Sequence, residues 1–403
     1  MILVPLLATA RVALVRPSPQ QEPPAPDAPV TWKDLSRSGF PLRFYGFLRL
    51  DAYYNSARMN NIFTPFTVSP EDGTAADDDD AGFALDPRLT RFGVDITPGE
   101  IGETTVNGKI EIDFANFTSG SAESRPAPRI RVAYLDLSKD ELGLRVGQDW
   151  DVVSPIYPTV NAETLMWNVG NTGDRRAQIQ GRWAPKDAKV DVKAALALTG
   201  AITNEDLDSA SPGLTPERDG FDAGLPNLQV RAGMKLDGPA EKKPLDLGAW
   251  GAIGKTETDT SFNGNKRFDV TLYGLDFTLP FTAALSARGE AWAGENLGDF
   301  RGGVGQSINP ATGEEIGAIG GWVELVYAAE QWRYHAGGTV DDPDDDDVPD
   351  ARPDHNSSLY LGTIKDWRSG LRTGLDVIYW DTDWANSEDG DGLRFNLYFQ
   401  FNF

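Results

Sequence analysis

The chain has 403 residues, a formal net charge of −24, no cysteine and only two histidines. The absence of cysteine excludes disulfides, thiolate metal sites and a cysteine nucleophile. No segment approaches the roughly 18 to 20 consecutive apolar residues of a membrane-spanning helix, which excludes an α-helical membrane protein. Since His335 and His355 fall on different predicted elements, we predict no metal site, no cofactor and no catalytic residue.

The N-terminal part of the chain differs in composition from the rest. Residues 1–16 begin with an apolar stretch that ends in Ala8-Thr9-Ala10, a small-x-small pattern typical of a signal-peptidase site, so we predict a signal or targeting segment. A disordered apolar tail is the alternative. Residues 17–41 are predicted to be a proline-rich linker and periplasmic lead-in, because six of the thirteen residues in 17–29 are proline.

From residue 42 onward the sequence alternates between apolar and polar residues, and the last segment shows this period of two clearly. Leu393, Phe395, Leu397, Phe399, Phe401 and Phe403 share one face of a strand, and Arg394, Asn396, Tyr398, Gln400 and Asn402 share the other. We count sixteen such segments, near 42–54, 88–97, 104–115, 128–138, 142–149, 173–184, 188–199, 226–237, 244–254, 265–279, 283–293, 316–329, 331–340, 357–365, 369–381 and 391–403.

The connections between these segments alternate in length. Those after even-numbered segments are tight turns, and those after odd-numbered ones are mostly long. Short turns at one end and long loops at the other are typical of outer-membrane barrels. The fold class predicted for 42–403 is therefore all-β, a transmembrane antiparallel β-barrel with sixteen strands, short periplasmic turns and long outer loops. Because Asp136 and Asp276 interrupt the alternation, fourteen or eighteen strands stay open, with bulges as one explanation.

Charge is distributed unevenly between loops and strands. The loops 55–87, 200–225, 341–355 and 381–391 hold 26 acidic residues and three basic ones. The strand arginines instead follow the polar face, where sixteen basic side chains exceed ten acidic ones. Facing lipid, each Arg or Lys would cost roughly 2 to 4 kcal/mol, so this face must line water. The predicted pore-lining arginines are Arg49, Arg91, Arg131, Arg145, Arg176 and Arg182.

The third long connection, 150–172, is largely apolar, unlike the other long loops. Such a loop is unsuited to solvent, and we predict that it folds into the lumen and narrows it. Burial at a contact between subunits is the alternative. Its polar members, predicted to face basic wall residues across the aperture, are Asp149, Asp151, Asn161, Glu163 and Asn168.

Several of these segments resemble the DcaP-like trimeric porins. The similar stretches are GFLRLDA at 46–52, RFG at 91–93, GKIEIDF at 108–114, VGQDW at 146–150 and RRAQI at 175–179. The resemblance implies a sixteen-stranded homotrimeric channel that favours small anionic or dicarboxylate-like solutes. It also implies that Phe403 is the terminal aromatic residue that barrel-assembly machinery recognises.

These observations predict a porin in the outer membrane of a Gram-negative-type bacterium, surrounded by lipid, that passes small hydrophilic solutes with a mild preference for anions. No nucleic-acid partner is predicted. Two alternatives belong to other classes of protein. An outer-membrane barrel hydrolase would use His335 or His355 with a serine and a carboxylate, and a non-conducting structural or adhesive barrel would use its acidic loops as a binding surface.

Overall fold

The computed structural model describes residues 36–37, 40–71, 73, 80–116, 125–160, 165–186, 189–200, 202, 207, 218–240 and 243–403. The predicted segment 1–16 and nearly all of 17–41 lie outside these residues. No helix within them is long and apolar enough to cross a membrane.

Sixteen antiparallel strands form one closed barrel. They are β1 Phe40–Asn55, β2 in two parts Gly82–Asp86 and Arg91–Ile101, β3 Thr104–Asn116, β4 Ala127–Lys139, β5 Leu142–Trp150, β6 Arg175–Trp183, β7 Val190–Ala197, β8 Asn227–Leu236, β9 Leu245–Phe262, β10 Asn265–Pro280, β11 Leu285–Glu295, β12 Gly317–Ala329, β13 Trp332–Pro343, β14 Pro353–Asp366, β15 Leu371–Trp384 and β16 Gly390–Asn402. Each strand pairs with the next, and β16 pairs with β1 from Phe47↔Asn402 to Asn55↔Arg394. The strand number and the antiparallel order are as predicted.

The remaining elements are short. The described residues include one four-residue helix, Asp219–Asp222, and 3-10 turns at Gly298–Phe300, Gly303–Gly305 and Arg368–Gly370. Two-residue strands occur at Ser36–Arg37, Ile308–Asn309 and Glu314–Glu315.

Asp136 and Asp276, which interrupt the alternation of the sequence, both face the barrel interior. A bulge explains the orientation of Asp136. The pairing of β3 with β4 shifts register between Glu111↔Val132 and Ile112↔Ile130. The extra residue inverts the alternation beyond it, so Asp136 turns inward and lies 9% exposed. Asp276 also turns inward, and Arg231 donates two hydrogen bonds to its carboxylate, of 2.9 and 2.7 Å.

Strand β9 is longer than predicted. β9 continues to Phe262 instead of ending near 254, and it joins β10 through a tight turn at Asn263 and Gly264. Residues 255–262 are mostly polar and lie beyond the end of the segment predicted near 244–254. Cross-strand ion pairs stabilise this extension, with Lys255 on Asp269 and Arg267 Nε 2.6 Å from Glu257.

The outward face is apolar, as expected for a barrel that lies in lipid. On β16, Leu393, Phe395, Leu397, Phe399 and Phe401 are 37 to 53% exposed, whereas Arg394, Asn396 and Tyr398 are buried. The inward face, however, is not uniformly polar. On β9 to β12 it carries buried Trp250, Val270, Leu272, Trp292 and Trp322, because two outer loops pack onto it from inside the barrel.

Candidate functional site

The third outer loop, L3 (151–174), leaves β5 and folds into the barrel. At its start Arg176 of β6 donates to Asp151 Oδ1 and Oδ2 at 2.7 and 2.9 Å. Gln229 of β8 donates to the same carboxylate at 2.7 Å and accepts from the Val152 amide at 2.7 Å. These contacts turn the chain away from the rim as soon as β5 ends.

L3 then crosses the lumen to the opposite wall. Glu290 of β11 accepts hydrogen bonds from the Ser154 hydroxyl and, at 3.1 Å, from the Ile156 amide. Glu324 of β12 accepts from the amide and hydroxyl of Thr159 at 2.9 and 2.6 Å. Since β5 and β11 are six strands apart, these bonds show that L3 folds inward, as the sequence predicted.

On its return L3 lies directly against the wall. The indole of Trp292 donates to the Gly170 carbonyl oxygen at 2.7 Å. Gly170 has φ +118°, and a Cβ there would lie 2.4 Å from the Gly321 carbonyl oxygen. Only glycine allows this approach of loop to strand.

A second loop, L6 (296–316), also folds inward, which was not predicted from the sequence. The Phe300 carbonyl accepts from the Gly173 amide at 2.7 Å, and the Arg301 carbonyl accepts from the Asn168 amide at 3.0 Å. Asp299 accepts hydrogen bonds from Arg176 Nη1 at 2.5 Å and from the Gly200 amide at 2.9 Å. L6 is therefore joined to L3, to β6 and to the segment after β7.

L3 and L6 form an apolar cluster with the wall of β9 to β12, which we call the filled half of the lumen. Its buried members are Val153, Trp250, Ala252, Val270, Leu272, Trp292, Leu297, Phe300 and Ala318. Water and solutes are excluded from this volume because side chains occupy it.

The opposite wall, β1 to β6, keeps open space beside L3, and we call it the charged half. A cavity of about 100 Å³ lies there. It is lined by Phe47, Arg49, Leu89, Arg91, Arg131, Trp150, Val160, Leu165, Trp167 and Arg175. Four guanidinium groups thus meet the aromatic and aliphatic side of L3.

A larger polar cavity of about 360 Å³ lies nearer the tight turns of the same strands. It is lined by Arg43, Asp95, Ile96, Thr97, Asn107, Gly108, Lys109, Tyr134, Asp136 and Arg145. Cationic side chains therefore continue along the charged half from the level of L3 to the turn end.

Most of these arginines have carboxylate partners in the wall. Arg49 donates to both oxygens of Asp51 at 2.8 Å. Arg131 lies 2.9 Å from Glu111 and 2.7 Å from Asp113. The pairs fix the guanidinium groups in position and reduce the excess positive charge that a count of the inward-facing side chains gives.

The predicted pore-lining residues fall into separate groups. Arg49, Arg91, Arg131 and Arg145 line the two cavities, and Arg182 pairs with Asp136 at 2.7 Å. Arg176 is buried between Asp151 and Asp299 instead of facing the cavities.

The predicted loop residues do not all face basic groups across the aperture. Asp149 pairs with Arg145 of its own strand, and Asp151 pairs with Arg176 of the neighbouring strand. The carbonyl oxygen of Asn168 accepts from Asn356 at 2.7 Å, so its backbone fixes L3 to β14. Asn161 and Glu163 lie outside the described residues.

Arg175, Trp150 and Trp167 line the first cavity but were absent from the predicted set. The Arg175 guanidinium carbon lies 4.8 Å from the Trp150 ring centroid and 5.8 Å from that of Trp167. Strand alternation places Arg175 on the outer face, because it precedes inward-facing Arg176. At the strand end the chain no longer follows that alternation, so no sequence period could have identified Arg175.

Two loop carboxyls differ in their pKa although both are buried. Burial raises the pKa of Asp151 above its ordinary value and outweighs the opposing effect of the Arg176 guanidinium. Burial also raises the pKa of Asp174, but Arg175 and Arg301 outweigh it and hold that pKa below its ordinary value. The Asp174 pair with Arg301 Nη2, at 3.0 Å, joins L3 to L6.

The two histidines lie in different surroundings. His335 is 2% exposed, and its Nε2 lies 2.8 Å from Asp376 Oδ1 in the inward face. His355 Nδ1 lies 2.9 Å from Asp342 Oδ1 near the rim. Neither of these contacts involves a serine hydroxyl.

No protein-family model matches the sequence, and no curated protein matches it significantly. Solved structures match in fold. The outer membrane channel DcaP of Acinetobacter baumannii has a TM-score of 0.74 at 16% identity, covering 91% of this chain and 99% of that one. OmpT of Vibrio cholerae in its trimer form has 0.57 at 13%, covering 91% and 100%. An anion-selective porin from Comamonas acidovorans has 0.56 at 11%, covering 90% and 100%. These identities establish likeness of fold alone, and this chain is a sixteen-stranded barrel with the fold of the DcaP channel.

Proposed function

We propose that this protein is an outer-membrane porin, a passive diffusion channel for small hydrophilic solutes with a mild preference for anionic, carboxylate-like ones. The observation that carries the proposal is the set of guanidinium groups in the charged half, beside an inward L3. Passive passage needs open polar space past L3, and the cavities of about 100 and 360 Å³ on β1 to β6 support the proposal that such space exists there.

The preference for anions follows from the sign of the charges beside the smaller cavity. Arg49, Arg91, Arg131 and Arg175 surround the smaller cavity, whereas the acidic residues 344–346 are exposed in the outer loop between β13 and β14. At 0.15 M salt the field of exposed rim charges is damped over about 8 Å. Charges in a narrow aperture are screened much less, so the arginines determine selectivity at moderate salt. The anion-selective porin from Comamonas acidovorans, which has a similar fold, supports this direction.

The outer membrane is proposed as the location, and a homotrimer as the assembly. The apolar outward face of the barrel and the outer-membrane proteins among its structural relatives support the first. The trimer form of the Vibrio cholerae protein supports the second. Phe403 exchanges backbone hydrogen bonds with Gly46, at 3.1 and 3.3 Å, where β16 meets β1. We propose it as the residue through which assembly machinery recognises the barrel.

The test is the ionic current and solute flux of the full-length protein in bilayers. We expect stable open channels, with a reversal potential in a salt gradient that shows mild anion preference at high mean salt and moves toward cations at low mean salt. Liposome swelling should be faster with mono- and dicarboxylates than with amines of equal size. Absence of current would refute the channel itself. Strong cation preference at high salt would refute only the role of the arginines.

A further inference from the structure

A compact group of aromatic residues and one lysine lies on the outward face at the turn end of β12 to β14. We call it the aromatic–lysine patch. It consists of Tyr327, Trp332, Tyr334, Lys365 and Trp367. None of these residues takes part in the proposed channel, because all lie on the side of the wall away from the lumen.

The rings of the patch are ordered against one another. Trp332 and Tyr334 stack with centroids 5.9 Å apart and planes 10° apart, and Tyr327 stacks on Tyr334 at 6.4 Å and 25°. The indole of Trp367 donates to the Thr373 hydroxyl at 2.9 Å. These four aromatic side chains are 38 to 47% exposed. The patch is therefore a fixed surface that is open to the surroundings of the barrel.

Lys365 is held in the patch by rings instead of by an acid. Its Nζ lies 3.6 Å from the ring centroid of Trp367 and 4.6 Å from that of Trp332. The adjacent carboxylate, Asp366, points to the other face and lies 2.5 Å from Arg372 Nε. Among the described residues, Lys365 forms no ion pair. Its charge is thus positioned but uncompensated.

The depth of the patch is set by the strand that carries Lys365. Leu359 and Leu361 precede it on the same outward face of β14, and they are 67 and 62% exposed. Beyond Lys365 comes the tight turn Arg368–Gly370. In barrels of this architecture the tight turns are periplasmic, so the patch lies at the inner boundary of the apolar belt, at the level of the lipid headgroups.

We propose that the aromatic–lysine patch binds an anionic glycerophospholipid of the periplasmic leaflet. The ammonium group of Lys365 receives the headgroup phosphate, which supplies the missing negative charge. The rings of Trp332 and Trp367 flank the glycerol region, and an acyl chain lies along Leu361 and Leu359. The class of lipid follows from the order of these groups, because a cation, aromatic rings and an apolar surface match a phosphate, a glycerol region and an acyl chain.

The experiment uses the full-length protein in nanodiscs that contain phosphatidylglycerol in a background of lipid without net charge. Native mass spectrometry counts the lipid molecules that the protein retains. The variants are Lys365→Gln and Trp367→Leu. Lys139→Gln is the matched control, since Lys139 also lies at a periplasmic turn but pairs with Glu103 at 2.6 Å. One lysine near an anionic lipid surface contributes on the order of a fivefold change in affinity.

We expect the wild type to retain phosphatidylglycerol, with about fivefold less in Lys365→Gln, a smaller reduction in Trp367→Leu and no change in the control. Equal retention by all four proteins would overturn the proposal, as would an equal loss in Lys139→Gln. A change of oligomeric state in Lys365→Gln without a change in bound lipid would also overturn it and assign the patch to a contact between copies. All these substitutions are on the surface, and heat-modifiable migration of the barrel verifies that each variant is folded.

Discussion

The two halves of the lumen belong to one antiparallel barrel but are filled in opposite ways. In the filled half, Trp250, Leu272 and Trp292 project inward and are covered by L3 and L6. In the charged half, Arg49 and Arg131 project inward and leave open space beside L3. Position on the inward face therefore does not decide whether a side chain meets water. What decides it is whether a loop packs against that side chain.

Because of this difference, one side of L3 is held against the wall and the other side borders the cavity. Towards β11 and β12 it is held by hydrogen bonds to Glu290 and Glu324 and by the apolar cluster. Towards β1 to β6 it presents Val160, Leu165 and Trp167 to the cavity. Fixing one side makes the width of the other reproducible, because the packed interior deforms little.

The largest effect should come from shortening L3. Removing part of 153–166 takes away the segment that spans the lumen, so single-channel conductance should rise severalfold. Removing Asp345 and Asp346, which are exposed at the rim, is the control and should leave conductance unchanged. If the shortened protein conducts like the wild type, the open path does not pass beside L3.

The next effect concerns the sign of the charge that passes. Replacing Arg49, Arg131 and Arg145 by Gln removes three positive charges from the charged half. The carboxylates that pair with them stay in place, and they are Asp51, Glu111, Asp113, Asp136 and Asp149. We expect the reversal potential to move well toward cation preference at moderate salt, with channels still open.

The matched control for this triple variant is Arg288→Gln. Arg288 also faces inward, but it lies on the opposite wall and pairs with Glu324 at 2.5 Å. Its replacement should change selectivity little. Equal shifts from the two variants would show that the halves do not differ in their contribution to selectivity.

A third prediction compares the two faces of one strand. Leu272 is 2% exposed inside the filled half, and Leu275 is 61% exposed on the outward face. Leu272→Ala should lower the free energy of unfolding by roughly 2 to 5 kcal/mol, because it leaves a cavity that its neighbours cannot close. Leu275→Ala should cost clearly less, since lipid or detergent refills the space. Denaturant unfolding in micelles measures both, and equal costs would contradict a packed lumen.

Much of the barrel could be predicted from sequence, because period two and loop parity are local signals. The alternation in 391–403 specifies both faces of β16, and the length of 150–172 with its apolar composition predicts an inward loop. The bulge at Arg131 and Val132 could be inferred only as a possibility, from the misplaced Asp136.

The filled half could not be predicted in this way. Val270 and Leu272 alternate like any lipid-facing row, and only the three-dimensional path of L3 and L6 shows that they face inward and are covered. The burial of Arg176 could not be predicted either. Strand parity correctly predicts that Arg176 faces inward, but its contact with Asp299, 123 residues away, buries it. Contacts between loops that are distant in sequence carry no periodic signal.

The smallest effect concerns pH and the joint between the two loops. The pKa of Asp174 is held below its ordinary value by Arg175 and Arg301, although burial opposes this. A carboxyl with a lowered pKa stabilises the joint above its ordinary pKa of about 3.9, and this contribution is lost as the pH falls through the lowered value. The loss should be on the order of 1 kcal/mol per hydrogen bond. Open-channel current noise should therefore increase below about pH 4, whereas Asp174→Asn should be noisy at neutral pH and change little on acidification. A variant as quiet as the wild type at neutral pH would show that this pair does not restrain L3.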